Sequence, residues 1–378
     1  MLDTIRLQSP PLDLETYRAL LDKASEHRIV DLGTGEFRAL ATSVRVQFSS
    51  GASVRAELRD WEYRPVYDRS GKHRPVRFPC EPYAVVEGSA HKLMLGHNVA
   101  GGPEELLPTA RYLVDALGAN TDTELPDGSD WYLRRVDRAE AYDLGPDGAV
   151  EYLRVLSQAR YPRRKMGHMQ SESVFTKNGR TTAVKAYSKG PEFAKHDARE
   201  LRKHGWHELA DQVQALADGL IRTEVGIRDQ KLDEDFGGKP QVRDVSDEYV
   251  TGIATDAVAK LLREGDGSMR IVRKHEEVID RLGEVYLGRW PAVLLSTWMG
   301  LSALGEEKMR EKIGRRTFYR HRKLLVDAGV SWLGSDIGIV GGFQIVPEDF
   351  RPLPSDPRCL RGEDVRVVQA LAPYRVAA

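Results

Sequence analysis

Apolar and polar residues alternate in short runs over the first 150 positions, the period-two signature of strands with one buried face. Residues 1–6, 42–48, 53–58, 83–87 and 92–95 read this way, and Ser49-Ser50-Gly51-Ala52 joins the second and third as a hairpin. The period changes at 103–118, where Leu106, Leu107, Ala110, Leu113, Val114 and Leu117 fall at helical spacing. A polar loop over 120–130 leads to a strand at 131–142, a helix at 149–159 and a basic loop at 161–168. Lys177-Asn178-Gly179-Arg180 then sits between extended runs, and Asn-Gly there predicts a hairpin whose second strand is 181–189. Helices are expected at 191–204 and 208–217, and a further strand at 220–228. Strands and helices mixed without regular alternation predict an α+β fold with an antiparallel sheet.

Residues 231–246 are polar and rich in Gly and Asp, the composition of a linker. Beyond them, helices at 290–304, 306–313 and 317–328 are punctuated by Gly305, Gly314 and Gly329, and a hairpin follows at 332–346. The expected division is a first domain at 1–235, a linker at 236–250, a smaller and mainly helical domain at 251–355, and a tail at 356–378.

A chain of 378 residues, 41% apolar, is long enough for two or three domains of roughly 100–200 residues. No stretch approaches the ~18 consecutive apolar residues of a membrane helix. The N-terminus lacks a basic-then-apolar signal pattern, so a cytoplasmic protein without membrane contact is the expectation. Cys80 and Cys359, far apart, give neither a disulfide framework nor zinc-ligand spacing. The net charge of −1 argues against an indiscriminate nucleic-acid coat. It leaves two basic islands, thirteen Lys/Arg against five Asp/Glu over 151–204 and eight against four over 301–330, where phosphate can be held.

The strand-like run Val184-Lys185-Ala186-Tyr187-Ser188-Lys189 is expected to present the Tyr187 phenol at the edge of a sheet, amid Lys177, Arg180, Lys185 and Lys189. A phenol near its ordinary pKa of about 10 is a poor nucleophile. Neighbouring cations favour the phenolate and can hold a phosphodiester beside it. The plainer reading is a half-buried strand tyrosine with solvated lysines. Two strands carry charge on one face: alternation sets Arg222, Glu224 and Arg228 opposite Ile221, Val225 and Ile227, and places Asp137 with Arg135, Ala139 and Ala141, small residues that leave room for a ligand. If those strands are neighbours, Asp137 and Glu224 converge as hard oxygen ligands for Mg²⁺ or Mn²⁺, unless they form an ion pair such as Arg222 with Asp137. His97, at a glycine-flanked turn, is a candidate third ligand or phosphate contact. In the helix at 317–328, Phe318, His321, Leu325 and Ala328 form an inner stripe, and Arg316, Tyr319, Arg320 and Lys323 lie on the outer face. A short helix, a tight turn and a basic-aromatic helix suit a helix-turn-helix, with the hairpin at 337–345 as a wing. An ordinary helical bundle with a solvated face would look the same.

Four segments, in this order, resemble the gene II replication initiators of filamentous phages, the phage/plasmid II/X replication family. They are Gly96-His97-Asn98 with its following glycine, Arg135-Val136-Asp137, the run around Tyr187, and Gly219-Leu220-Ile221-Arg222-Thr223-Glu224-Val225-Gly226-Ile227-Arg228. The resemblance implies a rolling-circle endonuclease of the HUH type that nicks one strand of origin DNA through a 5′-phosphotyrosine, leaves a 3′ hydroxyl primer and rejoins the displaced strand. By position it makes Tyr187 the nucleophile, Lys189 an electrostatic partner of the phosphate, Asp137 and Glu224 metal ligands or their supports, and His97 a metal or DNA contact. Lys177, Arg180, Lys185 and Arg222 become DNA contacts of the nuclease domain. Arg316, Tyr319, Arg320 and Lys323 become those of the winged-helix domain. Implied partners are phage or plasmid origin DNA and the helicase and polymerase of a bacterial host. The chain departs from the pattern in lacking two histidines one residue apart and a tandem tyrosine. A mobilisation relaxase shares this chemistry, and a non-catalytic winged-helix regulator shares the DNA reader alone. The chain contains no Gly-x-x-x-x-Gly-Lys-Ser/Thr loop, consistent with chemistry that uses no nucleoside triphosphate.

Overall fold

The computed structural model describes residues 1–30, 37–47, 52–67, 73–145, 173–175, 179–262, 274–332 and 362–375, with a few single positions between them. Nine strands form one sheet. In chain order they are β1 (Leu2–Gln8), β2 (Ser25–Val30), β3 (Phe37–Gln47), β4 (Ser53–Tyr67), β5 (His73–Ser89), β6 (Tyr132–Asp143), β7 (Ser173–Phe175), β8 (Thr182–Ser188) and β9 (Leu220–Arg228). Their spatial order is β2-β3-β4-β5-β1-β6-β9-β8-β7, and every neighbouring pair is antiparallel. The α+β expectation is met. The N-terminal strand occupies the centre of the sheet, so the two halves of the chain are built on a shared spine.

One face carries Ile5, Leu7, Val54, Ala56, Val86, Val136 and Ile227 and is covered by α1 (Leu14–Leu21) and α3 (Leu106–Thr121). Further along that face, Val184, Ala186, Ile221 and Val225 pack against Ala254, Ala257 and Val258 of α8 (Asp247–Leu262). That core continues without a break into Trp298, Leu301, Phe318 and Leu325 of the C-terminal helices. Among the described residues the opposite face is covered at one end, by α4 (Lys189–Lys195), α5 (Asp197–Lys203) and α6 (His207–Ala217), whose Phe193, Leu201 and Val213 lie on Ala139 and Ala141.

Two expected elements differ. Residues 92–95 are not a strand but the end of helix α2 (Ala90–Leu95), with Ser89 accepting from the Lys92 amide at its start and a left-handed Gly96 at its end. Cap chemistry at both ends outweighs a short apolar alternation. The segment 236–250 is built into the fold. It leaves α7 (Asp229–Phe236), makes a 3₁₀ turn at Val242–Asp244, and buries Val242, Val245 and Val250 against the sheet. Its polar residues are the solvent side of an amphipathic segment, which composition alone reads as a linker. The helix expected at 149–159 and the hairpin at 332–346 fall almost wholly outside the described residues. Among the described residues no helix is long and apolar enough to cross a membrane.

Candidate active site

Because β6, β9 and β8 are neighbours, their register assembles the site. Asp137 faces Gly226, Glu224 lies between Ala139 and Lys185, and Arg222 lies between Ala141 and Tyr187. Directly paired residues point to the same side of a sheet, so all of them share the partly open face. Gly226 admits the carboxylate: a Cβ there would stand 2.8 Å from Asp137 Oδ1.

The Tyr187 hydroxyl donates to Glu224 Oε1. The same carboxylate accepts from Arg222 Nε at 2.9 Å and pairs with Lys185 through Oε2. Arg222 is fully buried and sends its other nitrogens to Asp3 at 3.0 Å and the Asn98 carbonyl at 2.6 Å. The Asn98 side chain donates to Asp3 and accepts from Lys189 Nζ at 2.7 Å, and the buried Lys189 also pairs with Glu192. Arg135 grips both oxygens of Asp137, at 2.8 and 2.5 Å. Four carboxylates (Asp3, Asp137, Glu192, Glu224) thus face four cations (Arg135, Lys185, Lys189, Arg222), which is how so much charge is tolerated out of water.

Burial, and after it the Glu224 charge, push the Tyr187 phenol well above its ordinary range. Burial also favours a neutral Glu224, but Arg222 and Lys185 outweigh it and hold the carboxyl below its usual value. Asp137 moves the other way, raised by burial and by the nearby Asp3 and Glu224 charges against the pull of Arg135. Burial and the adjacent Arg222 lower Lys189. His97, buried and close to Arg366 and Lys189, is pushed down to about 4 and is neutral at neutral pH.

Several sequence expectations are corrected here. Tyr187 is not exposed at a sheet edge and is not primed as a phenolate. The short β7 takes the edge, the ring is 6% exposed, and burial outweighs the cations at 5.7 and 5.9 Å from it, Lys185 and Lys189. Arg222 is an internal counter-ion and presents nothing to a DNA phosphate. Lys189 is buried likewise, a partner of Asn98 before it is a partner of substrate. The space expected beside Ala139 and Ala141 is filled by Phe193, Ala198 and Leu201. Lys185, 42% exposed, and Arg180 at the hairpin turn do face solvent; Lys177 lies outside the described residues. Sequence reasoning missed Asp3 and Asn98 as site members. Asn98 adjoins His97 in the quoted motif, whereas Asp3 is a lone acid in an apolar first strand.

The metal expectation fares differently. Both oxygens of Asp137 and both of Glu224 are taken by neighbouring cations and the phenol. His97 Nδ1 accepts from the Val99 amide at 3.4 Å. Among the described residues no three His, Cys, Asp or Glu side chains are grouped as a metal ion requires. As arranged, these residues do not fit a divalent cation.

In the C-terminal unit the glycine punctuation holds. A helical stretch, Trp290–Ile313, breaks at Gly305 (φ 78°), and Gly314 (φ 78°) precedes the next helix, Arg315–Asp327. Phe318 and Leu325 are buried, while Arg316, Tyr319, Arg320 and Lys323 are exposed. Arg320 stacks on Trp290 at 4.6 Å, and Lys323 pairs with Asp327 at 2.7 Å.

The antiparallel sheet thus sets a tyrosine, a carboxylate and two lysines together at β8, β9 and the start of α4. Residues 40–246, more than half of the chain, match the family defined by the N-terminal region of the phage replication-associated protein of gene II, and the chain belongs to that family. It is a family of phage replication initiators. No curated protein matches the chain.

Proposed function

We propose that the protein initiates rolling-circle replication by nicking one strand of phage or plasmid origin DNA, with Tyr187 as nucleophile and Glu224 as its base. The observation that carries this reading is the hydrogen bond from the Tyr187 hydroxyl to Glu224, roofed by the exposed Lys185. An incoming phosphodiester recruits Lys185 and so uncovers Glu224. The Tyr187 oxygen attacks phosphorus as its proton passes to Glu224. The bond to the 3′ oxygen breaks, and that oxygen takes a proton from solvent to leave a free 3′ hydroxyl. The 5′ phosphate stays on tyrosine, which conserves the bond energy. Attack by a 3′ hydroxyl, which gives its proton back to solvent, reverses the step: the bond from phosphorus to the Tyr187 oxygen breaks, the phosphodiester is remade and the proton on Glu224 returns to the phenol. No step is routed through a metal ion, since the carboxylates are engaged elsewhere. The exposed basic face of Arg315–Asp327 supports a second, duplex contact that selects the origin. Contacts to a host helicase and polymerase belong to this reading through the family alone.

The test is incubation with supercoiled DNA carrying the replicon's own origin, followed by a search for nicked circles with protein attached. The wild type gives the adduct, and Tyr187→Phe gives none while binding persists. An adduct formed by Tyr187→Phe, or nicking without any adduct, refutes the assignment.

A further inference from the structure

β4 and β5 are far longer than the strands beside them. β3 pairs with β4 only from Thr42↔Leu58 to Gln47↔Ser53, and β1 pairs with β5 only over Val85–Ser89. From Trp61↔Pro79 to Tyr67↔His73 the two strands pair, among the described residues, only with each other, as a two-stranded ribbon. A two-stranded ribbon in water has little to stabilise it, so its side chains matter. Here they interleave cations with rings. The Arg77 guanidinium lies 3.9 Å from the Trp61 ring centroid, Arg59 lies 5.2 Å from it, and Tyr63 meets Trp61 edge-on at 5.0 Å. Tyr63 is 56% exposed. Arg59 and Arg64 are neutralised by Glu57 and Glu62, whereas Arg77 pairs with no carboxylate among the described residues.

The register connects this arm to the active site. Arg45↔Arg55, Arg55↔Glu87, Glu87↔Arg6, Arg6↔Arg135 and Arg135↔Arg228 are successive cross-strand pairs, so they form one row across six strands on one face. At about 4.8 Å per strand the row is roughly 24 Å long. It holds five arginines and a single glutamate, and Arg135 brings it to Asp137 beside Glu224. The parallel row on one side is Ser43, Glu57, Val85 and Gln8; on the other stand Gln47, Ser53, Ser89 and Thr4. A line of cations one residue wide suits a single phosphodiester backbone, because the two backbones of a duplex need cations on both sides of a groove. Further along β4, the exposed Tyr63 ring suits an unpaired base, whose face is free to stack.

We propose that the arginine row and the Trp61–Tyr63–Arg77 face of the arm form a track for single-stranded DNA that leads to Tyr187. The direction of the track rests on the nicking reading; the binding surface itself does not. The test measures anisotropy of a labelled single-stranded oligonucleotide, and of the same sequence as duplex, against intact protein. Tyr63→Ala and Arg77→Gln each weaken single-strand binding about tenfold. Arg55→Gln lowers the slope of log affinity against log salt by about 0.7. Duplex binding and thermal melting stay unchanged in all three. Wild-type affinity of these variants for the single strand overturns the inference, as does an equal or larger loss on duplex. Tyr187→Phe binds the single strand normally under this inference, so a failed adduct assay and a failed track are separate results.

Discussion

Glu224→Gln separates the two ways in which a buried tyrosine can be made to attack. In one, cations create a phenolate before reaction; in the other, a carboxylate takes the proton as the bond forms. The proposal made above is the second, because the phenol is pushed well above its ordinary value of about 10 by burial and by the Glu224 charge itself. If phenolate had to form first, the nicking rate would climb about tenfold per pH unit across the neutral range. With Glu224 as base, its depressed carboxyl is ionised throughout, and the single-turnover rate is flat from about pH 6 to 9. The glutamine variant keeps an acceptor for the hydroxyl but no base, so its rate falls about 10²–10⁴-fold, roughly 3–5 kcal/mol, and regains the rising profile. The fold feels the change too. Arg222 retains Asp3 and the Asn98 carbonyl, and Lys185 relaxes into water, so unfolding at neutral pH costs about 3 kcal/mol less, the low end for a broken buried pair. A carboxyl with a depressed folded pKa stabilises above its unfolded value and loses that contribution as pH falls through the folded value. The stability gap between wild type and variant therefore closes on acidification below about 4.5. Single-turnover nicking of labelled origin oligonucleotide, with urea unfolding at two pH values, measures both. A wild-type rate that climbs tenfold per unit between pH 6 and 9 refutes the assignment of Glu224.

Gly226→Ala sets a methyl against Asp137 Oδ1 and destabilises by about 1–3 kcal/mol in urea unfolding, and adding Asp137→Ala recovers part of that loss. Trp298→Ala removes a fully buried indole that donates to the Ser331 carbonyl at 2.7 Å; it costs about 3–5 kcal/mol by the same measurement. Replacing Arg316, Arg320 and Lys323 together with glutamine weakens origin-duplex binding and lowers its salt slope by about 0.9 per lost phosphate contact. Nicking of a single-stranded oligonucleotide by that variant proceeds at the wild-type rate. Millimolar Mn²⁺ leaves the melting temperature of the DNA-free protein unchanged, because the carboxylate oxygens are already engaged. A rise of several degrees would show that they rearrange around a cation.

Strand periodicity and glycine placement made much of this architecture legible. The Leu220–Arg228 strand, the hairpin leading into Tyr187 and the breaks at Gly305 and Gly314 all follow from local chemistry. So does the co-facial set Asp137, Glu224 and Arg222, because alternation fixes faces before neighbours are known. What alternation leaves open is which face is covered. Residues 189–217 were readable as helices, but not as the cover over Ala139, Ala141 and Lys189. For that reason Tyr187 looked like an exposed nucleophile. Asp3 was hidden for a related reason: a first strand looks peripheral, yet β1 runs through the centre of the sheet and delivers its one acid to Arg222. The arm was hidden because a strand pattern gives no hint of where its partner stops.

If Tyr187 is the nucleophile proposed above, its burial has a chemical use. A phenolate exposed to solvent would react with any electrophile that reached it. In this arrangement the phenol stays neutral, and its base is held down by the buried Arg222 and by Lys185, the exposed one of the two. Under the nicking proposal, a phosphodiester competes with Glu224 for Lys185, the cation of the pair that solvent reaches. As Lys185 turns to the phosphate, Glu224 loses a cation and its basicity rises. The same contact thus places phosphorus near the phenol and strengthens the group that takes its proton. Arg222 is the fixed counterpart: locked by Asp3 and Asn98, it keeps Glu224 in place while Lys185 moves. The site needs one mobile cation and one immobile one, and sequence spacing alone could not tell Lys185 from Arg222.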